Sequence, residues 1–291
     1  MLYINPASIP FPQARLEKLK KLTKELISAL PSERSNLIDH GRNDSWGHAD
    51  VVTALRSVVG NKCWYSEVYL DHNDPNVDHF RPKGEIREVD IRSFKNCGES
   101  RGYWWLAFEH CNYRFAAIHA NQRRVFTHTS GGKWDYFPVR GSRAVAKTQW
   151  SRIVEDFLPL DPCLKSDVML LWFDPDGVAG PADRQSRPLT DHEKDRVRVS
   201  IWLYHLDEEN TQKRRAETIR GVLALLDEAN DNLQDWDPTG SCDLKSKARF
   251  DASISKIQKA LEPKSLFAGA VERVVRTRSA HYPWIIDYIT L

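Results

Sequence analysis

The chain has none of the features that would place it in a membrane or an oxidising compartment. No run approaches the roughly 20 apolar residues that a membrane helix needs. The first residues, MLYINPASIPFPQARLEKLKK, are broken by prolines before an apolar signal core could form. The five cysteines, Cys63, Cys97, Cys111, Cys163 and Cys242, are odd in number and scattered, and no CxxC pair occurs among them. That usage predicts reduced thiols in a cytoplasm and no zinc site evident from cysteine spacing. Charge of one sign is also missing. A formal charge of +2 over 291 residues supplies no global field for a polyanion, so any nucleic-acid contact has to come from a local patch. Internal repeats and low-complexity tracts are absent.

What is present reads as an α+β protein, mainly α-helical. Leu16, Leu19, Leu22, Leu26 and Leu30 share one face of a helix predicted over 12–30, with Pro12 at its start and Pro31 as its stop. A second helix fits HADVVTALRSVVG and ends at Gly60. Residues 61–140 change character, with short aromatic runs and Gly, Pro and Asn turns that predict hairpins and loops. The ten tryptophans, some clustered as in GYWWLAF, are expected to fill core. A helix is expected over 144–157, stopped by LPLDPC, followed by a strand, a turn at Asp174–Gly177 and a return strand in VMLLWFDPDGVAG. Beyond 190 the chain reads as helices, the first running unbroken through DHEKDRVRVSIWLYHLDEENTQKRRAETIRGVLALLDEAND. Three segments follow: an N-terminal helical part (1–60), a chemistry-bearing insert (61–145) and a helical scaffold or docking region (146–291).

The insert contains DPNVDHFRPKG, residues 74–84, with Asp78 beside His79. Neighbours on a regular strand point to opposite faces, so the pair shares a site only if the chain turns there, and Pro82 and Gly84 signal that turn. Downstream, FEHCNYRFAAIHANQRRV carries Asn112 and Asn121, then Arg123–Arg124. Arg101, Arg114, Arg123, Arg124, Lys133, Arg140, Arg143, Lys147 and Arg152 are faced locally only by Glu109 and Asp135. Such an excess suits either a phosphate backbone or a solvated face. His79 is the natural base, with an unperturbed pKa near 6.5, and Asp78 and Asn121 offer the hard oxygens that Mg²⁺ prefers.

The order DH…N…N, with KCWYSE before it and HANQRR after it, resembles the HNH nuclease motif in its His-Asn-Asn form. The usual pattern is CxxC, a DH at a strand end, an Asn, then CxxC followed by His or Asn. The matching pieces are Cys63-Trp-Tyr-Ser66, Asp78-His79, Asn112, Ala117-Ile-His-Ala120 and Asn121. VDHFRPK, YWWLAFEHCN, DYFPV, LPLDPC and RAETI resemble the layout of the PtuB-like nucleases of the Septu anti-phage system, also found beside some retrons. The likeness runs over about 60–230.

The resemblance implies a ββα-metal finger embedded between N-terminal and C-terminal helices. It implies His79 as general base, Asn112 holding the His79 ring in place by side chain or backbone, and Mg²⁺ or Mn²⁺ on Asp78 and Asn121. Arg81, Lys83, Arg123, Arg124 and Lys133 would contact nucleic acid, DNA ahead of RNA. A PtuA-like ATPase would be the partner, in the cytoplasm and away from membranes, with a homo-oligomer left open. Of the four positions that ligate structural zinc in such fingers, only Cys63 remains, Ser66, Ala117 and Ala120 standing at the others. No structural zinc is therefore expected, and Trp64, Tyr65, Phe115 and Ile118 are expected to pack in its place. Glu67 is expected to hydrogen-bond inside the finger and His119 to be exposed, while His72 and Asp74 take no role. Two alternatives stand beside the nuclease: a silent HNH-derived subunit that binds nucleic acid or a partner, and a helical interaction protein with a coincidental motif.

Overall fold

Proline, glycine and apolar spacing set the first elements. In the computed structural model, which describes residues 1–70, 76–125, 129–146, 153–182, 187–236 and 243–291, α1 spans Gln13–Ser28 and buries Leu19 and Leu26. A short α2, Arg34–His40, was not anticipated. α3, Ala49–Val59, ends where Gly60 turns to φ 75°, a left-handed conformation that glycine adopts without a Cβ clash.

The insert is built of small antiparallel pairs. β1 (Asn76–His79) pairs with β4 (Tyr113–Ala116), and β2 (Ile86–Asp90) forms a hairpin with β3 (Lys95–Ser100). A one-turn helix, α4 (Ile118–Asn121), follows β4 directly. β5 (Arg124–Val125) pairs with β6 (Ser130–Gly131), and β7 (Val139–Arg140) with β8 (Asp156–Phe157). The helix expected over 144–157 is therefore replaced at its far end by β8, because Val139–Arg140 offers that stretch a ladder partner; residues 147–152 lie outside the described residues.

After α5 (Lys165–Val168), β9 (Leu171–Phe173) and β10 (Ala179–Pro181) form the expected hairpin, and the Asp174 carboxylate accepts from the Asp176 and Val178 amides to close its turn. The long helix expected past 190 is two: α6 (Asp191–Tyr204) and α7 (Glu209–Asp235), separated by His205 in the left-handed region at φ 52°. α8 (Leu244–Leu261), α9 (Ala268–Arg278) and α10 (Ile285–Tyr288) complete the chain. Among the described residues no helix is long and apolar enough to cross a membrane.

One apolar core runs through all three expected segments, joining Leu55, Trp64, Tyr65, Phe115, Leu203 and Val274. A second lies between α7, α8, α9 and α10, around Leu226, Phe250, Ile257 and Val275. A third, Phe80, Tyr103, Trp105 and Phe137, sits directly behind the strand end that carries His79. Burying each such side chain stabilises by about 1.5–3 kcal/mol, so the short strands of the insert rest on cores that their own ladders could not supply.

Candidate active site

The chain turns where Asp78 and His79 need it to. β1 ends at His79, and Asn112 makes that end rigid. The Asn112 side chain accepts from the Arg81 amide at 2.8 Å and donates to the Arg81 carbonyl at 3.0 Å, while its own carbonyl accepts from the Phe80 amide at 2.8 Å. Fully buried, Asn112 thus clamps the backbone that follows His79. Asn112 therefore positions His79 through the backbone that follows it, and other groups contact the ring itself. His79 Nε2 lies 2.9 Å from the Ala107 carbonyl, and the Trp46 and Tyr113 rings meet the imidazole edge-on at 4.8 and 5.3 Å. A carbonyl only accepts, so Nε2 carries the proton and Nδ1 holds the lone pair. Burial drives the imidazole pKa down to about 3, assisted by the nearby Lys83 ammonium and opposed by the Ala107 carbonyl. His79 is neutral at physiological pH.

Asp78, His79, Asn121, Lys83, Lys133 and Asp135 all line one cavity of about 310 Å³. Most of the residues singled out in the sequence are therefore brought together, from β1, from the end of α4 and from the segment after β6. Lys133 is buried, against the expectation that it faces nucleic acid. Its ammonium donates to Asp78 Oδ1 at 2.7 Å and to the His79 carbonyl at 2.6 Å, and the other Asp78 oxygen accepts from the Tyr65 hydroxyl at 2.6 Å. The Lys133 and Trp134 amides are tied to the Ala120 and Asn121 carbonyls at 2.8 and 2.7 Å, which fixes this segment against the end of α4. Gly132, at φ 112°, makes the approach possible, since a Cβ there would come within 2.1 Å of the Gln122 carbonyl.

Arg81 is also internal. It meets buried Glu155 at 2.6 Å, which replaces the expected phosphate. Arg123 lies half-buried over the Trp202 ring, and Arg124 is exposed on β5. Lys83 reaches the cavity across the Trp46 ring at 5.1 Å, and burial lowers its pKa. The apparent excess of basic residues largely vanishes in space. Arg114 is paired with Asp161 at 2.6 Å, Arg143 with Glu88 at 2.6 Å, and Arg140 with Asp195 at 3.4 Å. Lys147 and Arg152 lie outside the described residues, as do His72, Asp74 and the His119 side chain.

The turn that would carry two zinc ligands keeps its shape through the backbone. The Cys63 amide donates to the Val68 carbonyl, the Glu67 amide to the Cys63 carbonyl, and the Trp64 amide to the Phe115 carbonyl. Cys63, Ser66, Ala117 and Ala120 are all buried, and so are Trp64, Tyr65 and Phe115; Ile118 is half-buried. Tyr65 stacks on Tyr204 of α6 with ring centroids 3.9 Å apart. Glu67 reaches out of the turn instead of into it, accepting from the Gly269 amide at 2.8 Å and pairing with the Met1 amino group at 2.6 Å.

Three participants were missed in the sequence: Tyr65 and Lys133 as the groups that hold Asp78, and Asp135 as a second carboxylate on the cavity. All three lie in or beside stretches that carry the resemblance, KCWYSE and DYFPV, but nothing in those stretches tells what each side chain touches. Trp134, at φ 42°, is a non-glycine residue in a strained backbone region beside the cavity, of the kind that accumulates at functional sites.

Asp78, Asp135 and Asn121 supply hard oxygens around one cavity, a donor set that fits Mg²⁺ or Mn²⁺ held by one or two carboxylates with waters completing the shell. The fit has a constraint, because Lys133 already shares Asp78 Oδ1. Among the described residues no three His, Cys, Asp or Glu side chains form a metal-binding group. Compared with known proteins, the chain matches no family model and no curated protein sequence.

Proposed function

We propose that this chain is an HNH-type endonuclease that hydrolyses phosphodiester bonds in nucleic acid, DNA ahead of RNA. The observation that carries the reading is the shared cavity: Asp78 and His79 at the end of β1, and Asn121 at the end of the helix after β4, face it together. Strand, paired strand and helix in that order are the layout that the HNH resemblance implies. The hydrogen bond from Nε2 to the Ala107 carbonyl supports the role of base, because it leaves Nδ1 as the nitrogen with the lone pair.

In the reaction, His79 Nδ1 takes a proton from water, and the resulting hydroxide oxygen bonds to phosphorus. The bond from phosphorus to the leaving oxygen breaks, and that oxygen takes a proton from solvent. Lys83 contributes positive charge beside the reacting phosphate, the Ala107 carbonyl holds the ring, and Asn112 fixes the backbone that follows it. Asp78 and Asn121 would hold Mg²⁺ or Mn²⁺, which would supply positive charge to the reacting phosphate. Arg124 meets flanking phosphates. The defence role, as nuclease effector beside a PtuA-like ATPase in the cytoplasm, rests on the resemblance alone.

A second reading, a silent subunit that binds nucleic acid or a partner, is favoured by one observation: both Asp78 oxygens are already engaged, by Lys133 and by Tyr65. Plasmid cleavage separates the two. Purified protein with Mg²⁺ or Mn²⁺, alone and with the ATPase, is expected to nick or cut DNA, to stop in EDTA, and to lose about 10²–10⁴-fold in rate as His79→Ala, the range of a general base. Cleavage that survives His79→Ala would overturn the assignment of the base. Protein that binds DNA in Mn²⁺ but never cuts it, even with the ATPase, would establish the silent reading.

A further inference from the structure

The cavity around His79 does not end at Lys83. Lys83 and Gly84 also line a second cavity of about 490 Å³, which shares Arg34, Arg101 and Trp104 with a third of about 590 Å³. Their shared lining residues set the three side by side as a trough of adjoining hollows, from the site across the insert and past α2. The Gly84 and Gly102 backbones meet along it, where a Cβ on Gly102 would lie 1.6 Å from the Gly84 carbonyl oxygen.

The lining is neither a uniform phosphate track nor an apolar groove. The Arg34 guanidinium carbon sits 3.9 Å over the Trp104 ring, and Arg34 Nε has no hydrogen-bond partner. A planar cation fixed on an indole is a platform for another flat ring, as bases stack on aromatic and guanidinium planes. Lys83 and Arg101 line the same cavity as that platform and bring cationic side chains to it. Asp39 and Glu85, also on the lining, are carboxylates of the kind that accept from base amino groups. A track for the duplex backbone would have no use for acceptors that repel phosphate.

We propose that this trough seats an unstacked, single-stranded stretch of nucleic acid beside the scissile phosphate. One base lies on the Arg34–Trp104 platform, and Lys83 and Arg101 take the flanking phosphates. The inference rests on the reading of His79 as a phosphodiester site and narrows its substrate. A cavity of this size houses a single base with its sugar, and a paired, stacked base cannot enter it.

Binding, measured on the His79→Ala protein so that nothing is cut, tests the trough apart from the chemistry. The probes are fluorescent oligothymidylate, oligouridylate and a duplex of equal length, read by anisotropy over a salt series. The single strands are expected to bind more tightly than the duplex, and the two single-stranded arms tell DNA from RNA as the source. Arg34→Ala and Arg34→Lys are both expected to weaken single-strand binding by about fivefold or more, since lysine keeps the charge but not the plane. Arg101→Ala is expected to reduce the salt slope by about one. Gly84→Phe is expected to block the trough without harm to folding, because a Cβ there meets no atom within 4 Å. Its melting temperature checks the fold.

Duplex bound as tightly as single strand would overturn the proposal. So would Arg34→Lys binding like its parent, or a folded Gly84→Phe protein with undiminished affinity. If the trough variants behave as expected while the unsubstituted protein never cuts, the trough stands and the nuclease reading fails.

Discussion

The insert and the C-terminal helices are stabilised in opposite ways. α7, α8, α9 and α10 pack through apolar side chains such as Leu226, Phe250 and Ile257, and among the described residues the core between them holds no ion pair of the kind found at the site. The site is held by buried charge. Asp78 meets Lys133, Arg81 meets Glu155, and Arg114 meets Asp161, with side chains almost wholly out of water in all three pairs. Buried ion pairs seldom stabilise more than well-packed apolar groups of the same volume would, but breaking one leaves an uncompensated charge. The difference teaches where the fold tolerates change: a lost methyl group costs the helical half a cavity, whereas a lost partner costs the insert an unsolvated ion. It also explains how strands as short as Asn76–His79 hold a fixed geometry, since polar partners from distant segments lock them in register.

The largest effect is expected from removing one charge of the pair at the site. Lys133→Met leaves Asp78 buried without its cation and is expected to lower stability by about 3–5 kcal/mol, read as a lower denaturation midpoint. The double variant Asp78→Asn/Lys133→Met is expected to recover much of that loss, because no ion is then left unpaired. A single variant as stable as the parent would show that the ammonium is dispensable and that the comparison drawn above fails at its main example.

In the helical half, Leu226→Ala is expected to cost about 2–5 kcal/mol by opening a cavity between α7 and its neighbours, where Leu226 is fully buried. Thermal melts measure the loss, and single-strand affinity is expected to stay unchanged below the melting range. Altered affinity in a folded Leu226→Ala protein would show that the two regions are coupled more tightly than their separate cores imply.

How much of this was legible in the sequence follows the same division. The leucine spacing of α1, the stop at Gly60 and the Asp174–Gly177 turn could be read because their causes are local. So could the order of Asp78, His79, Asn112 and Asn121, which the fold brings to one place with Asn112 as a backbone clamp. The basic run was misread because its partners are remote: Asp161 lies 47 residues from Arg114, and Asp78 lies 55 from Lys133. No local rule reveals that a lysine in GGKWDYF turns inward. The break at His205 has neither glycine nor proline to announce it: the left-handed His205 backbone ends α6, and Glu208 caps the start of α7. The α2 helix was missed because seven residues give too little periodicity to detect.

Acid is expected to weaken the site more gently than Lys133→Met. His79 has its pKa lowered from 6.5 to about 3 by burial, so the unfolded chain binds the proton that the folded one refuses. The stabilisation is complete only well above pH 6.5 and is lost progressively as pH falls toward 3, with about 0.8 kcal/mol gone by pH 6. Urea titrations between pH 5 and 7.5 are expected to show this slope in the parent and a flatter one in His79→Gln, which has no titrating ring. Equal slopes would mean that the imidazole is solvated in the folded protein, and that its hydrogen bond to Ala107 does not protect it.

The smallest effect belongs to an exposed helix end. Thr190 caps α6 by accepting from the Glu193 amide at 3.2 Å, while the Glu193 carboxylate accepts from the Thr190 amide at 2.9 Å and from Arg187. Thr190→Ala removes half of that capping box and is expected to cost about 0.5–1 kcal/mol, with no change in the pH dependence of unfolding. Thr190→Ser, which keeps the hydroxyl, is expected to match the parent. Because α6 carries Tyr204, on which Tyr65 stacks, a cap loss that also weakened nucleic-acid binding would reveal a path from the helix through Tyr65 to Asp78. Unchanged binding would leave the charge-locked insert independent of how firmly α6 begins.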